Sequence, residues 1–168
     1  MSKSHPMLVA QSRIATPLGP LTAAATAAGL AGLWFDDQAH HPGALALPLA
    51  PQHPVLQAAA LAVAAYFNGA VEPLRGLALD LHGTPFQLAV WRALQALRRG
   101  HTATYGQIAS TVGSPAAVRA AGAAIGRNPV SILVPCHRVL GKGGALTGYA
   151  GGLHRKQALL QAEGIIVR

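Results

Sequence analysis

One cysteine, Cys136, stands in a chain of 168 residues. No internal disulfide can tie such a chain, so its fold must rest on a hydrophobic core. The composition allows one: 51% of the residues are hydrophobic, although much of that is alanine and aromatics are only 5%. Packing by Leu, Val and Ala follows, in one domain or two small ones. The cysteine lies in Val134-Pro135-Cys136-His137-Arg138-Val139. The apolar run 130–134, read as a strand, delivers it to a proline-bent corner. Two residues that can be cationic stand beside it, and neighbouring positive charge lowers a thiol's pKa toward the reactive thiolate. The plainer reading of a lone cysteine is a small buried hydrophobe.

Charge narrows the partners. Thirteen Lys and Arg oppose five Asp and Glu, a formal net charge of +8 with histidine neutral. That balance favours a polyanion, and nucleic acid is the obvious one. No basic amphipathic helix stands out, and no apolar span reaches the ~18 residues that would suggest membrane insertion. Met1-Ser2-Lys3-Ser4-His5-Pro6 leads into no apolar signal core, so no export signal is expected. With a single thiol this predicts a reducing, cytoplasmic setting. A structural zinc site generally uses several cysteines. His40, His41 and His53 share a loop without acidic or thiol companions and read as solvated. No metal or cofactor is expected.

The first half reads as a small α/β unit. Residues 8–35 form short β segments, with a turn at Thr16-Pro17-Leu18-Gly19-Pro20 and a strand over 30–35 ended by Asp36-Asp37. The stretch 38–54, rich in Pro, Ala and His, is a loop. His53-Pro54 opens a helix whose apolar face carries Val55, Leu56, Ala59, Val63 and Phe67, stopped near Gly69. Residues 77–81 alternate like a short strand. The boundary falls at His82-Gly83, giving a supporting domain over 1–82 and a second domain over 83–168.

The second half carries sharper signals. Thr84-Pro85-Phe86-Gln87 starts a helix by a capping box with proline in the first turn. Phe86, Val90, Leu94 and Leu97 line its inner face, and Trp91 beside them is read as core. A short helix over 104–112, a glycine turn at Gly113 and a helix over 116–125 capped by Ser114-Pro115 make a helix-turn-helix pattern. Val118, Gly122 and Ile125 are placed inward on that second helix. Its other faces carry Ala116, Ala120, Ala123, Ala124 and one large side chain, Arg119. Sequence-specific readers present several Arg, Asn or Gln side chains to base edges. A smooth alanine face with one arginine suits close approach to a groove without sequence readout. Asn128 in Gly126-Arg127-Asn128-Pro129 is placed as a brace of the turn into the cysteine run. The glycine-rich segment 141–152 lets backbone come close to a flat ligand, on which Tyr149 can stack. A last helix runs over 153–162. Glu163 at its end opposes the helix dipole, so it is either an exposed charge or a partner for a cation such as His137. Cys136 and His137, adjacent in a strand, would point to opposite sides. A Cys–water–His–Glu chain is then the natural arrangement for activating the thiol.

Asn128-Pro129, the Val134-Pro135-Cys136-His137-Arg138-Val139 run and Tyr149-Ala150-Gly151-Gly152 resemble the O6-alkylguanine-DNA alkyltransferases, densely over about residues 80–165. The resemblance implies an α+β fold: a small N-terminal α/β domain with antiparallel strands, and a mainly helical C-terminal domain holding the helix-turn-helix. It implies a single irreversible transfer of the alkyl group from O6-alkylguanine in double-stranded DNA to Cys136, with the base flipped out. His137 and Glu163 would generate the thiolate. Tyr105 would press on a phosphate and donate to the guanine ring. Arg119 would fill the vacated stack, with Ala120 and Ala123 against the minor groove. Asn128, Val139, Tyr149, Ala150 and Gly151 would shape the pocket. The protein would act as a monomer. Two positions depart from some members: Ala150 in place of serine removes a hydroxyl donor to O6, and Ser131 stands in place of proline. Zinc-binding members use N-terminal cysteines, which this chain lacks. Two rival readings remain: a non-catalytic sensor or helix-turn-helix DNA-binding protein, and a thiol hydrolase, which would turn over a small ester.

Overall fold

The computed structural model describes residues 6–72 and 76–167, and the chain divides into two compact units. The first comprises 1–83 together with 129–133, and the second comprises 84–128 and 134–168.

In the first unit, β1 (Ala10–Ile14), β2 (Leu21–Ala25) and β3 (Leu30–Phe35) form an antiparallel sheet in the order β1-β2-β3. Pairing runs Ala10 to Ala25 and Ile14 to Leu21, then Leu21 to Phe35, with a bulge at Ala24/Ala25. Every residue of β2 and β3 is buried. Both faces of these two strands are covered, which is why they read as continuous apolar runs rather than as alternation. Trp34 folds its indole over Gly32, where an added Cβ would fall 1.9 Å from the ring. Only glycine leaves that space.

Helix α1 (Pro54–Phe67) packs on the sheet through Leu56, Ala59, Ala62, Val63 and Tyr66. The buried stripe is rotated from the expected one. Val55 and Phe67 lie at its margins, and Tyr66, wholly buried, takes the central place. His53 caps the helix, its Nδ1 accepting from the Val55 N–H at 3.2 Å. The expected strand over 77–81 is a single bridge, Leu30 to Leu79. The bridge rests on Leu30 N–H to the Ala78 carbonyl and Asp80 N–H to the Leu30 carbonyl, and the Asp80 carboxylate is held by the Thr26 hydroxyl at 2.6 Å and by His82 at 2.9 Å.

The second unit is mainly helical. It holds α2 (Pro85–Gln95), β4 (Ala103–Thr104), α3 (Tyr105–Thr111), α4 (Val118–Gly126), β5 (Val139–Leu140) and α5 (Leu153–Ala162). The Thr84/Gln87 capping box is formed, and a second one, Thr104/Gln107, starts α3. Trp91 is core, with its indole N–H donating to the Ala124 carbonyl at 2.9 Å. Phe86 and Leu97 are only half-buried. Helix α3, the turn at Gly113 and α4 follow in the expected sequence.

Three details of α4 and its sequel are corrected. First, α4 starts at Val118 and has no side-chain cap; Ser114 instead accepts the Ala117 N–H through its carbonyl in a tight turn. Second, its inner face is Ala121, Ala124 and Ile125, whereas Val118 is 40% exposed. Third, the run 130–134 is not a strand. It makes one bridge, Val130 to Leu33, then coils: Leu133 N–H bonds the Ser131 carbonyl and Cys136 N–H bonds the Val134 carbonyl. Ile132 is left-handed (φ 71°), and Pro135 has no N–H to offer a ladder. No helix among the described residues is long and apolar enough to cross a membrane.

Candidate active site

Cys136 opens a 3-10 turn, Cys136–Arg138, rather than sitting in a strand. Its backbone bends there, so the two-sided geometry expected for Cys136 and His137 does not apply. Cys136 is 6% exposed and lines a pocket with Tyr105, Gly122, Ile125, Gly126, Gly148, Tyr149 and Ala150. Helix α4 supplies Gly122, Ile125 and Gly126 as one wall. The loop before α5 supplies Gly148, Tyr149 and Ala150 as the other. Each wall contributes small residues, Gly122 and Gly126 from one and Gly148 and Ala150 from the other, which leaves a slot suited to a flat group. Asn128, Val139 and Gly151, expected in the lining, are buried outside it. Val139 belongs to β5 and pairs with Ala103, a packing role.

Asn128 braces the turn directly. Its Nδ2 donates to the Val134 carbonyl at 2.7 Å, and its side chain also hydrogen-bonds the Cys136 sulfur. Burial nonetheless pushes the thiol pKa up, against that hydrogen bond, the Lys156 charge and the thiol's own backbone N–H. Adjacent cations do not make a resting thiolate, contrary to expectation. Arg138 is committed to Glu163, and burial holds the His137 pKa below its ordinary value, so the imidazole is neutral.

His137 and Arg138, which follow the thiol in the chain, share a buried charge network with Glu163. His137 Nε2 is 2.8 Å from Glu163 Oε1, and both side chains are wholly shielded. Arg138 donates from Nε to both carboxylate oxygens at 3.1 and 2.9 Å, and from Nη2 to Oε1 at 2.8 Å. Its Nη1 reaches the Leu97 carbonyl at 2.7 Å. Burial works to raise the Glu163 pKa, but the hydrogen bonds and charges of His137 and Arg138 outweigh it and hold the carboxyl well below the usual range. An ionised carboxylate accepts only, so His137 carries its proton on Nε2 and presents Nδ1 as the basic nitrogen. Of the two readings of Glu163, pairing is the one realised. Arg138 as its second partner was not anticipated.

Tyr105, at the start of α3, is half-buried on the pocket wall, with its hydroxyl donating to the Thr147 carbonyl at 3.2 Å. Burial raises its pKa, so the phenol keeps its proton. Arg119, Ala120 and Ala123 are all exposed on α4. The exposed face therefore carries one long cationic side chain among small ones, with Val118 added. Sequence reading missed Lys156, which is wholly buried in α5. Its signal was present: Arg155 and Lys156 precede the apolar Leu159 and Leu160 by four positions, so both fall on the buried face.

Together these features define a cysteine-dependent α+β protein: a buried thiol lining a slot, an imidazole–carboxylate pair whose imidazole follows it in the chain, and a helix of small residues with one exposed arginine forming one wall. Comparison narrows the class. Residues 9–81 match the ribonuclease-like domain of 6-O-methylguanine DNA methyltransferase, and residues 85–165 match its DNA binding domain. The chain is 43% identical over 150 residues to a methylated-DNA–protein-cysteine methyltransferase of Mycobacterium tuberculosis, covering 89% of each. It is 50% identical over 112 residues to that of Haemophilus influenzae, covering 67% of this chain and 63% of that one. A crystal structure of Mycobacterium tuberculosis OGT in complex with DNA superposes with a TM-score of 0.82 at 42% identity, covering 92% of both chains. The chain belongs to the 6-O-methylguanine DNA methyltransferase family.

Proposed function

We propose that this protein repairs double-stranded DNA by taking the alkyl group of O6-alkylguanine irreversibly onto Cys136. The observation that carries the reading is Cys136 lining a slot with Gly122, Gly126, Gly148 and Ala150, followed in the chain by a neutral His137 tied to an ionised Glu163. Relatives named methylated-DNA–protein-cysteine methyltransferase support it.

The target carbon is unreachable inside a base stack, so the nucleotide flips out, at a cost of a few kcal/mol that is lower for a poorly paired lesion. Arg119, exposed among alanines, fills the gap, while Ala120 and Ala123 lie against the minor groove. Binding is independent of sequence because α4 offers no set of base-reading side chains. The extruded base enters between Tyr149-Ala150 and the Gly122 side of α4. The Ala150 backbone N–H serves O6. No side-chain hydroxyl assists it there.

The reaction balances without a cofactor. His137, through a water, takes the Cys136 proton, and Glu163 stabilises the imidazolium that forms. The thiolate attacks the alkyl carbon. The S–C bond forms as the C–O6 bond breaks, and the electron pair leaves with the guanine. Tyr105 neutralises the growing charge by donating toward the ring, and the displaced proton ends on guanine. A thioether results. None of the groups lining the slot is set to cleave it, so each molecule acts once, as a monomer in the cytoplasm. Intact mass after mixing with a duplex containing O6-methylguanine tests the reading. A gain of one methylene supports it. Binding without mass change would make the protein a lesion sensor, and turnover of a small ester would make it a hydrolase.

A further inference from the structure

Lys156 is a buried cation of the second unit that the proposed transfer leaves without a task, and its position is costly. It lies in the first turn and a half of α5, where the helix dipole disfavours a cation. It has no solvent-exposed surface. Burying an ammonium is unfavourable unless its protons are matched. Here Nζ donates to the Thr147 carbonyl at 2.7 Å and the Gly148 carbonyl at 3.0 Å. It also stands over the Tyr105 ring, 5.8 Å from the centroid, within cation–π range. The neighbouring Arg155 donates to the Gly151 carbonyl at 3.1 Å, so two cations at the wrong end of a helix hold one pocket-forming loop.

The Thr147 carbonyl is shared: it accepts from Lys156 and from the Tyr105 hydroxyl. For Tyr105 to donate to a substrate base, it must let that carbonyl go. Although Thr147 is exposed, its carbonyl need not recruit water: the Lys156 ammonium still serves it, and holds it in place, after the hydroxyl has turned away. We infer that Lys156 is a positioning residue for the transfer. It fixes the Thr147–Gly148 backbone as a pocket wall and releases the Tyr105 hydroxyl to the base, while its charge favours the Cys136 thiolate. This role rests on the alkyl-transfer reading of Cys136.

Protonation of Lys156 is therefore required for fast transfer. Burial lowers its pKa from the ordinary 10.5 to about 8, against the pull of Cys136. The titratable groups facing it are Cys136, Tyr105 and His137. Deprotonating Cys136 would speed the reaction as pH rises; losing the Lys156 proton slows it. An arginine at the position keeps its charge throughout, which separates the two.

The test follows single-turnover transfer from an O6-methylguanine duplex at pH 7 to 9, in the wild type, Lys156→Arg and Lys156→Met. Circular dichroism confirms the fold at each pH. Wild-type mass gain at pH 7 comes first; its absence overturns the functional reading itself. With transfer established, the wild-type rate should fall about tenfold relative to Lys156→Arg between pH 7 and 9, and Lys156→Met should be slow throughout. Superimposable profiles for the wild type and Lys156→Arg, with transfer intact, would overturn the role of Lys156 alone. Should Lys156→Met fail to fold, the first two profiles still decide.

Discussion

His137 and Glu163 meet at 2.8 Å with both side chains shut away from water, and Arg138 closes the far side of the same carboxylate. The arrangement fixes the protonation of the acid and of the base: Glu163 stays ionised, and the His137 imidazole stays neutral with its proton on the nitrogen that meets the carboxylate.

Removing the carboxylate charge should therefore be felt twice. Glu163→Gln leaves Arg138 buried without its counter-ion, and breaking such a pair costs about 3–5 kcal/mol. A lower denaturant midpoint checks it. Transfer should slow as well, because the imidazolium that forms in the reaction loses its stabiliser.

The same group governs stability in acid. The folded-state pKa of Glu163 lies below its ordinary 4.5, so its contribution is complete above pH 4.5 and is lost as pH falls through the folded value. The His137 pKa, also lowered by burial, acts in the same direction, since folding excludes a proton that the unfolded chain binds. Thermal melts from pH 7 to 3 should show a steep decline in the wild type and a shallower one in Glu163→Gln.

Catalysis should have its own acid limb. The base role proposed for His137 needs the neutral imidazole, whose pKa lies below the ordinary 6.5. The transfer rate should hold as pH drops to 6.5 and fall only further down. A midpoint at or above 6.5 would show that another group supplies the base.

Much of this was readable from the chain because the signals were local. Thr84-Pro85-Phe86-Gln87 states a helix start in four residues, and the Pro-Cys-His-Arg cluster announces its chemistry by juxtaposition. What failed was whether an extended run finds a partner strand. Residues 77–81 alternate like a strand, yet they pair with β3 at one bridge only, Leu30 to Leu79. The run 130–134 is apolar enough for a strand, but Ile132 turns left-handed and the chain coils into Cys136. On α4, alanine is so frequent that the pattern could not tell Ala121 and Ala124, which are buried, from Ala120 and Ala123, which are not. The thiol's raised pKa was invisible too: sequence shows which charges are adjacent, not that Arg138 is spent on Glu163.

Asn128 ties the end of α4 to the thiol. Asn128→Ala strands the buried Val134 carbonyl, at a cost of about 1–3 kcal/mol, and removes a hydrogen bond to the sulfur. Both a lower melting temperature and slower transfer are expected. Stability lost with the rate unchanged would limit its role to the turn.

Arg119 is expected to act in extrusion rather than in chemistry. Arg119→Ala should slow repair of duplex about tenfold while leaving reaction with free O6-alkylguanine base nearly unchanged. Equal losses on both substrates would contradict the assignment.

The most direct measurement is stoichiometry. The protein is mixed with excess O6-methylguanine duplex, and the repaired guanines and the site of the methyl group are both counted by mass spectrometry. One guanine restored per chain is predicted, with the methyl confined to Cys136 and nothing transferred in Cys136→Ser. More than one guanine per chain, or a chain left unmodified while the lesion disappears, would contradict the account.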